Sequence, residues 1–293
     1  MKKTDDKMHQ EWTKRSKDLY DLRVINGRTT HFGPDISELR IHKKSLEKVI
    51  AKNKQLSQET NLLVLGATPE LRDLGLACGC NVYCVDANQK VLDAAKKHLI
   101  IEDRSREKTH IGDWSNLDMF EDNKFSYIMG SVSINNVPFD MWQQVFDELK
   151  RVKKDYGIIS LRQIVFPDIK REDYSFKRTL KDYKEGMLSE REFYVILRFN
   201  SFLREAYDSK TKTLYAKKVF DKFEELHNKG ALSKDEFEYL NQFRNSVEHT
   251  VLSQNNTRDT FEKYLGKCKI RCAQGERYFG DVYNIFEMNL GGK

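Results

Sequence analysis

Gly66 and Asp86 stand 20 residues apart. At that separation an acid ending one strand can accept hydrogen bonds from a ribose, while a glycine turn ending the strand before it lets the rest of a nucleotide-type ligand come close. The residues between them supply the elements such a pair needs. Leu62 through Leu65 form a short apolar run that stops at Gly66, as a strand buried on both faces does. Thr68 stands at an N-cap, Pro69 at N1 and Glu70 in the first turn of a helix running toward Cys78-Gly79-Cys80. A second strand, 82–85, then ends on Asp86. The alternative is an ordinary βαβ unit with no ligand, but cap, glycine and acid all fall in register.

Composition narrows the setting. The chain has 293 residues, 39% hydrophobic and 33% charged, enough for one large domain or one domain with a sizeable insertion, under a highly charged surface. No apolar run reaches the roughly 18 residues of a membrane span, and MKKTDDKMHQEW lacks the apolar region of a secretory signal. Five cysteines, an odd number, point to reduced thiols in the cytoplasm. Cys78, Cys80, Cys84, Cys268 and Cys272 contain no C-x-x-C pair, so no metal is expected. The net charge of +6 sits almost wholly in the first 60 residues, which carry 14 Lys/Arg against 9 Asp/Glu. Elsewhere the signs mix, unlike the one-signed stripe of a nucleic-acid groove.

The elements that must position the pair come in order along the chain. Trp12, Arg15, Leu19 and Arg23 share one face of a helix over 8–23. Asn26-Gly27 ends it, and 31–35 (HFGPD) is a turn-rich loop. A helix over 36–54 leads into the first strand. After Asp86, Asn88 caps a helix reaching about residue 100. Strands are expected at 109–111 and 125–129, the latter opening into GSVSINN. An amphipathic helix covers 138–153, and Tyr156-Gly157 turns the chain into a fifth strand, 158–165. Three or four charged helices then fill 168–255. Strands at 269–274 and 283–290, with Gly275 and Gly280 between them, form an antiparallel hairpin that completes the sheet.

These residues resemble the class I S-adenosylmethionine-dependent methyltransferases over about 60–165 and, by strand pattern, 260–291. VLGATPEL is similar to the family's first motif, in a bacterial subset with a Gly-Ala-Thr-Pro-Glu-Leu turn. VDAN is similar to the second and IGDW to the third. GSVSINNVPFDMWQQVFDELKRVKKDYGIISLR is similar to the end of the fourth strand, its helix, and the turn into the fifth strand. Gly66 is the only glycine of the first turn, a departure from the usual Gly-x-Gly-x-Gly. The resemblance implies an α/β fold with a Rossmann-like seven-stranded sheet, mostly parallel with the last strand antiparallel. The expected division is an N-terminal helical cap (1–58), a cofactor-binding core (59–167 and 256–293) and a helical insertion (168–255) serving as lid.

What the resemblance implies for the site is S-adenosyl-L-methionine over Gly66, Ala67, Thr68, Pro69 and Leu71. Asp86, Ala87 and Asn88 lie at the ribose, Gly112, Asp113 and Trp114 at the adenine, and Gly130 and Ser131 at the end of the fourth strand. Tyr20 and Arg23 close over the methionine end, with Arg23 on its carboxylate. His31 is the expected general base, at a pKa suited to the task. His31, Phe32, Asn135 and Asn136 contact the acceptor, a small molecule methylated on N or O. A nicotinamide dehydrogenase is disfavoured because Pro69 has no N–H for a pyrophosphate. An RNA or protein methyltransferase and a non-catalytic cofactor-binding module are the remaining alternatives. NVPF is not the Asn-Pro-Pro-Tyr/Phe sequence of methyltransferases acting on bases or glutamine.

Overall fold

In the computed structural model, which describes residues 33–34, 36–166, 175–244, 246–275 and 282–290, one sheet organises the chain. β1 (Asn61–Leu65), β2 (Asn81–Asp86), β3 (Glu107–Ile111), β4 (Phe125–Ser131) and β5 (Lys153–Phe166) are parallel. β10 (Lys269–Gln274) and β11 (Tyr283–Asn289) form a hairpin, and β11 runs antiparallel between β5 and β10. The resulting order is β3-β2-β1-β4-β5-β11-β10. It reverses between β1 and β4, so the carboxyl ends of these strands form the crevice in which open α/β sheets hold ligands.

Helices cover both faces. On one face α1 (Ile36–Gln55), α2 (Pro69–Ala77) and α3 (Gln89–Lys96) bury Leu46, Val49, Leu71, Val91 and Leu92 against β1, β2 and β4. Close packing there depends on Gly75, where a Cβ would come 2.3 Å from Leu62 and 2.8 Å from Val82. On the other face α4 (Trp142–Val152) and α10 (Gln254–Leu265) pack Trp142, Phe146 and Phe261 onto Leu63, Ile128, Leu161 and Phe286.

The chain between β5 and α10 builds a second core. It contains α5 (Phe176–Lys184), α6 (Glu190–Ile196), a π-turn (Leu197–Ser201), α7 (Leu203–Ala206), α8 (Ala216–Asn228) and α9 (Lys234–Asn241). The sequence pattern predicts helices alone there. A three-stranded sheet of two-residue strands also forms, from β6 (Tyr207–Asp208), β7 (Thr213–Leu214) and β8 (His249–Thr250). Strands this short carry no alternating pattern that a sequence reading can detect. A further short strand, β9 (Leu252–Ser253), pairs with the last two residues of β5.

Two boundaries differ from expectation. α3 stops at Lys96, and the chain past it is drawn back toward α2 by the Ile100 amide bonding to Asp73 at 2.8 Å. β5 begins directly after α4, with Tyr156-Gly157 inside it. The register jumps from Phe125 opposite Lys153 to Tyr127 opposite Ile158, so the expected turn is absorbed as a bulge. Among the described residues no helix is long and apolar enough to cross a membrane. All five cysteines are free; burial pushes the Cys80 and Cys84 thiols up to about 12, so they pack as small hydrophobes.

Candidate active site

The turn after β1 brings the chemistry of two strand ends together. Gly66 has φ +88°, which a side chain resists. Its N–H donates to the Val85 carbonyl at 2.8 Å, tying it to the end of β2. There the Asp86 carboxylate, 9% exposed, accepts from the Ala67 N–H at 3.2 Å and the Asn88 N–H at 2.9 Å. These bonds aim the carboxylate at the glycine turn. Asn88 also caps α3, accepting from the Lys90 N–H at 3.0 Å, and Ala87 lies against the core between them.

Thr68 occupies the N-cap of α2, but its hydroxyl makes no capping bond. Pro69 and Leu71 are buried in the first turn. The donor set is thus an anchored carboxylate beside a helix start with proline at N1. That suits a diol and an amino-acid group and gives a pyrophosphate no proline N–H.

The turn after β3 lies beneath this pair. Gly112 donates to the Asp86 carbonyl at 3.1 Å. Asp113 accepts from the Ser115 amide and hydroxyl at 2.8 and 2.9 Å, which fixes the turn. Trp114 is 4% exposed; its indole N–H donates to Val85 at 2.9 Å, and its ring lies 3.6 Å from where a Cβ on Gly66 would stand. The tryptophan is therefore a buried support for the glycine turn.

β4 ends in Gly130 and Ser131. Ser133, which no sequence pattern singles out, donates to the Leu65 carbonyl at 2.6 Å, and its Oγ would be 2.7 Å from a Cβ on Gly130. Asn135 is 1% exposed. Its amide donates to the Ile164 and Thr250 carbonyls and accepts from the Ile164 N–H at 2.8 Å, so it braces β5 against β8. Asn136 follows it, half-buried. Tyr20, Arg23, His31 and Phe32 lie outside the described residues. Gly33 is described: a Cβ there would meet the Glu70 carboxylate at 2.6 Å, and its carbonyl accepts from Arg191 at 3.2 Å. The segment joining α1 to what precedes it therefore sits between the first turn of α2 and the second core.

Sequence reasoning misses a buried polar group at the end of β5. Arg162, fully buried, pairs with Glu38 at 2.7 Å. It also donates to Ser131 at 3.2 Å and stacks 3.7 Å over the Tyr283 ring. Next to it His42, fully buried, meets Ser160 at 2.9 Å. Burial, then the Arg162 charge, lowers its pKa to about 3. A signal is present in ISLRQIVF, where Arg162 and Gln163 stand between Leu161 and the apolar run 164–166.

Comparison with known proteins bears on the same stretch of chain. Residues 65–161 match the family described as Methyltransferase domain. That stretch runs from the last residue of β1 into β5 and holds the anchored acid, the glycine turn and the end of β4. No curated protein matches the chain. A protein of Pyrococcus horikoshii OT3 is similar at 16% identity, over 89% of this chain and 95% of that one, with TM-score 0.47. A SAM-dependent methyltransferase from Methanosarcina mazei is similar at 15% over 79% and 93%, TM-score 0.46. The glycopeptide N-methyltransferase MtfA, complexed with S-adenosyl-L-homocysteine, is similar at 20% over 45% and 54%, TM-score 0.34. The stretch similar to a methyltransferase domain is thus set in a seven-stranded, mostly parallel sheet with β11 reversed.

Proposed function

We propose that this chain is a class I S-adenosylmethionine-dependent methyltransferase that transfers a methyl group to a nitrogen or oxygen of a small molecule. The observation that carries this reading is the covering of the acceptor side. Val132, Ile164, Val282 and Tyr283, at the ends of β4, β5 and β11, are buried in the second core with Phe199, Phe202 and Phe220. A small acceptor can be enclosed there, whereas a polymer needs an open face. Residues 168–255 then act as a lid, 1–58 as an N-terminal cap, and 59–167 with 256–293 as the core. The GATPEL turn supports membership of a bacterial subset of the family, and the reduced cysteines support a cytoplasmic setting.

In this reading the Gly66–Leu71 turn takes the methionine end, together with Tyr20 and Arg23. Asp86, with Ala87 and Asn88, takes the ribose hydroxyls. The 112–114 turn walls the adenine, and Gly130 and Ser131 border the reacting centre. When bound, the cofactor supplies an already activated methyl group, so the chain's task is alignment and exclusion of water. His31 accepts the proton that the acceptor loses. Phe32 and Asn136 contact the acceptor, and Asn135 holds the loop that carries Asn136. The placement of Gly33 against Glu70 and Arg191 supports bringing residues 20–32 over the site.

Calorimetry with S-adenosyl-L-homocysteine, followed by a screen of small N- and O-nucleophiles for its production, tests the proposal. Binding with turnover of a small acceptor is expected; no binding by the wild type sinks it. His31→Ala with unchanged turnover removes the base. The basic excess of residues 1–60 favours an RNA or protein acceptor as the second reading. RNA binding that falls steeply with salt would establish it over the first.

A further inference from the structure

The buried groups around Tyr283 leave one charge unaccounted for. Arg198, in the π-turn, is 1% exposed. Among the described residues its guanidinium meets no carboxylate. It donates to the Tyr194 hydroxyl at 2.8 Å and the Val247 carbonyl at 2.5 Å, both neutral, and its Nε has no partner among the described residues. Its remaining neighbours are rings, with its guanidinium carbon 5.0 Å from the Phe199 centroid and 5.9 Å from that of Tyr194. Arg162, by contrast, has Glu38 at 2.7 Å. Taking a charge out of water costs several kcal/mol, and folded chains normally offset that with an opposite charge. Cation–π contacts and two neutral acceptors return only part of it.

The place of this charge is informative. Arg198 lies within electrostatic reach of Tyr283, as do Arg162, Arg191 and Glu38. Burial raises the Tyr283 pKa, and the three arginines oppose the rise. Tyr283 pairs with Ile164 across the β5–β11 ladder, near the carboxyl end of β5. The π-turn itself is a costly local geometry that tends to be kept where it aims a functional group.

We propose that Arg198 is the anion-binding residue of the acceptor subsite, so the molecule methylated carries an anionic oxygen group, a carboxylate or a phosphate- or sulfate-type group. The proposal rests on the methyltransferase reading with an enclosed small acceptor. The guanidinium fork supplies the missing neutralisation by parallel N–H donors to two oxygens. The acceptor's charge then fixes its orientation toward the reacting centre, and a neutral analogue leaves Arg198 buried without compensation.

The test uses the full chain and simple anions as probes. Thermal unfolding is followed with sodium sulfate or sodium acetate titrated against sodium chloride at equal ionic strength. One anion should raise the midpoint above the chloride control, sulfate indicating a tetrahedral group and acetate a carboxylate. Arg198→Met, close in volume, should raise the half-saturating concentration at least about 10-fold. Should Arg198→Met fail to fold, Arg198→Lys keeps the charge without the fork, and the same measurement should show weaker anion protection. No protection of the wild type beyond chloride, or equal protection in every folded variant, overturns the proposal. S-adenosyl-L-homocysteine titrations on the same samples separate the two readings. Intact binding with no anion effect removes the anion subsite alone, and absent binding removes the methyltransferase reading. Loss of S-adenosyl-L-homocysteine binding in Arg198→Met would assign the arginine to the cofactor and overturn its place at the acceptor.

Discussion

The two sides of the crevice are built by opposite means. On the side proposed for the cofactor, Gly66, Ala67, Asp86 and Asn88 come from one βαβ unit, and backbone amides bond the acid. On the other side, Glu38, Arg162 and Tyr283 come from three separated parts of the chain, and side chains must satisfy one another. The first side is a property of a local turn, and it needs little beyond itself. The second exists only when the whole fold is in place, and each of its members is exposed to the loss of another.

The largest expected effect tests that dependence. Glu38→Gln takes a carboxylate from Arg162 in a buried site, and a loss of about 3–5 kcal/mol in denaturant unfolding is expected. Pairing Glu38→Leu with Arg162→Met should recover much of it; a double variant as unstable as the single one would contradict the dependence. On the cofactor side, Asp86→Ala should leave the fold standing but weaken S-adenosyl-L-homocysteine binding about 100-fold, or roughly 2.7 kcal/mol, in calorimetry. Unchanged affinity would remove Asp86 from the ribose.

A pH series extends the contrast. The folded-state pKa of His42 is about 3, below the roughly 6.5 of an unfolded histidine. The unfolded chain therefore binds a proton that the folded chain refuses. Stability is constant with respect to this group above about pH 6.5 and falls by about 1.4 kcal/mol per unit between there and pH 3. From pH 6.5 to 5 the wild type should lose about 2 kcal/mol relative to His42→Gln, measured by urea unfolding. Parallel curves would refute the burial of a neutral ring. The smallest effect belongs to Thr68, whose hydroxyl caps nothing. Thr68→Ala should cost a few tenths of a kcal/mol, against about 1 for Ser189→Ala, which breaks a full capping box.

The same contrast explains which features are legible in the residues taken in order. Gly66, Pro69 and Asp86 announce themselves because their roles depend on neighbours within 20 positions. The parallel core follows from the alternation of elements, and the antiparallel pair at its edge from the terminal hairpin. Trp114 is legible as a turn residue but not as a buried one, since its N–H partner, the Val85 carbonyl, belongs to another strand. Asn135 reads as an acceptor contact beyond the fourth strand; the Ile164 and Thr250 carbonyls that take its amide bonds lie far along the chain. Arg162 stands out in an apolar run, but its partner Glu38 lies 124 residues earlier, and no local rule joins them. The short β6–β7–β8 sheet carries too few residues per strand to show a period.

The reversed strand β11 sets an order of events in time. It lies between β5 and β10, but more than a hundred residues of chain separate the end of β5 from Tyr283. At synthesis rates of about 5–20 residues per second, β5 waits roughly 6–20 s for that neighbour to be made. During that interval its outer edge is open and apolar, the kind of edge on which other chains pair. Arg162 likewise waits for the Tyr283 ring beneath it. The glycine turn and its acid are complete long before. A growing chain therefore completes its glycine turn well before the far half of its sheet can close.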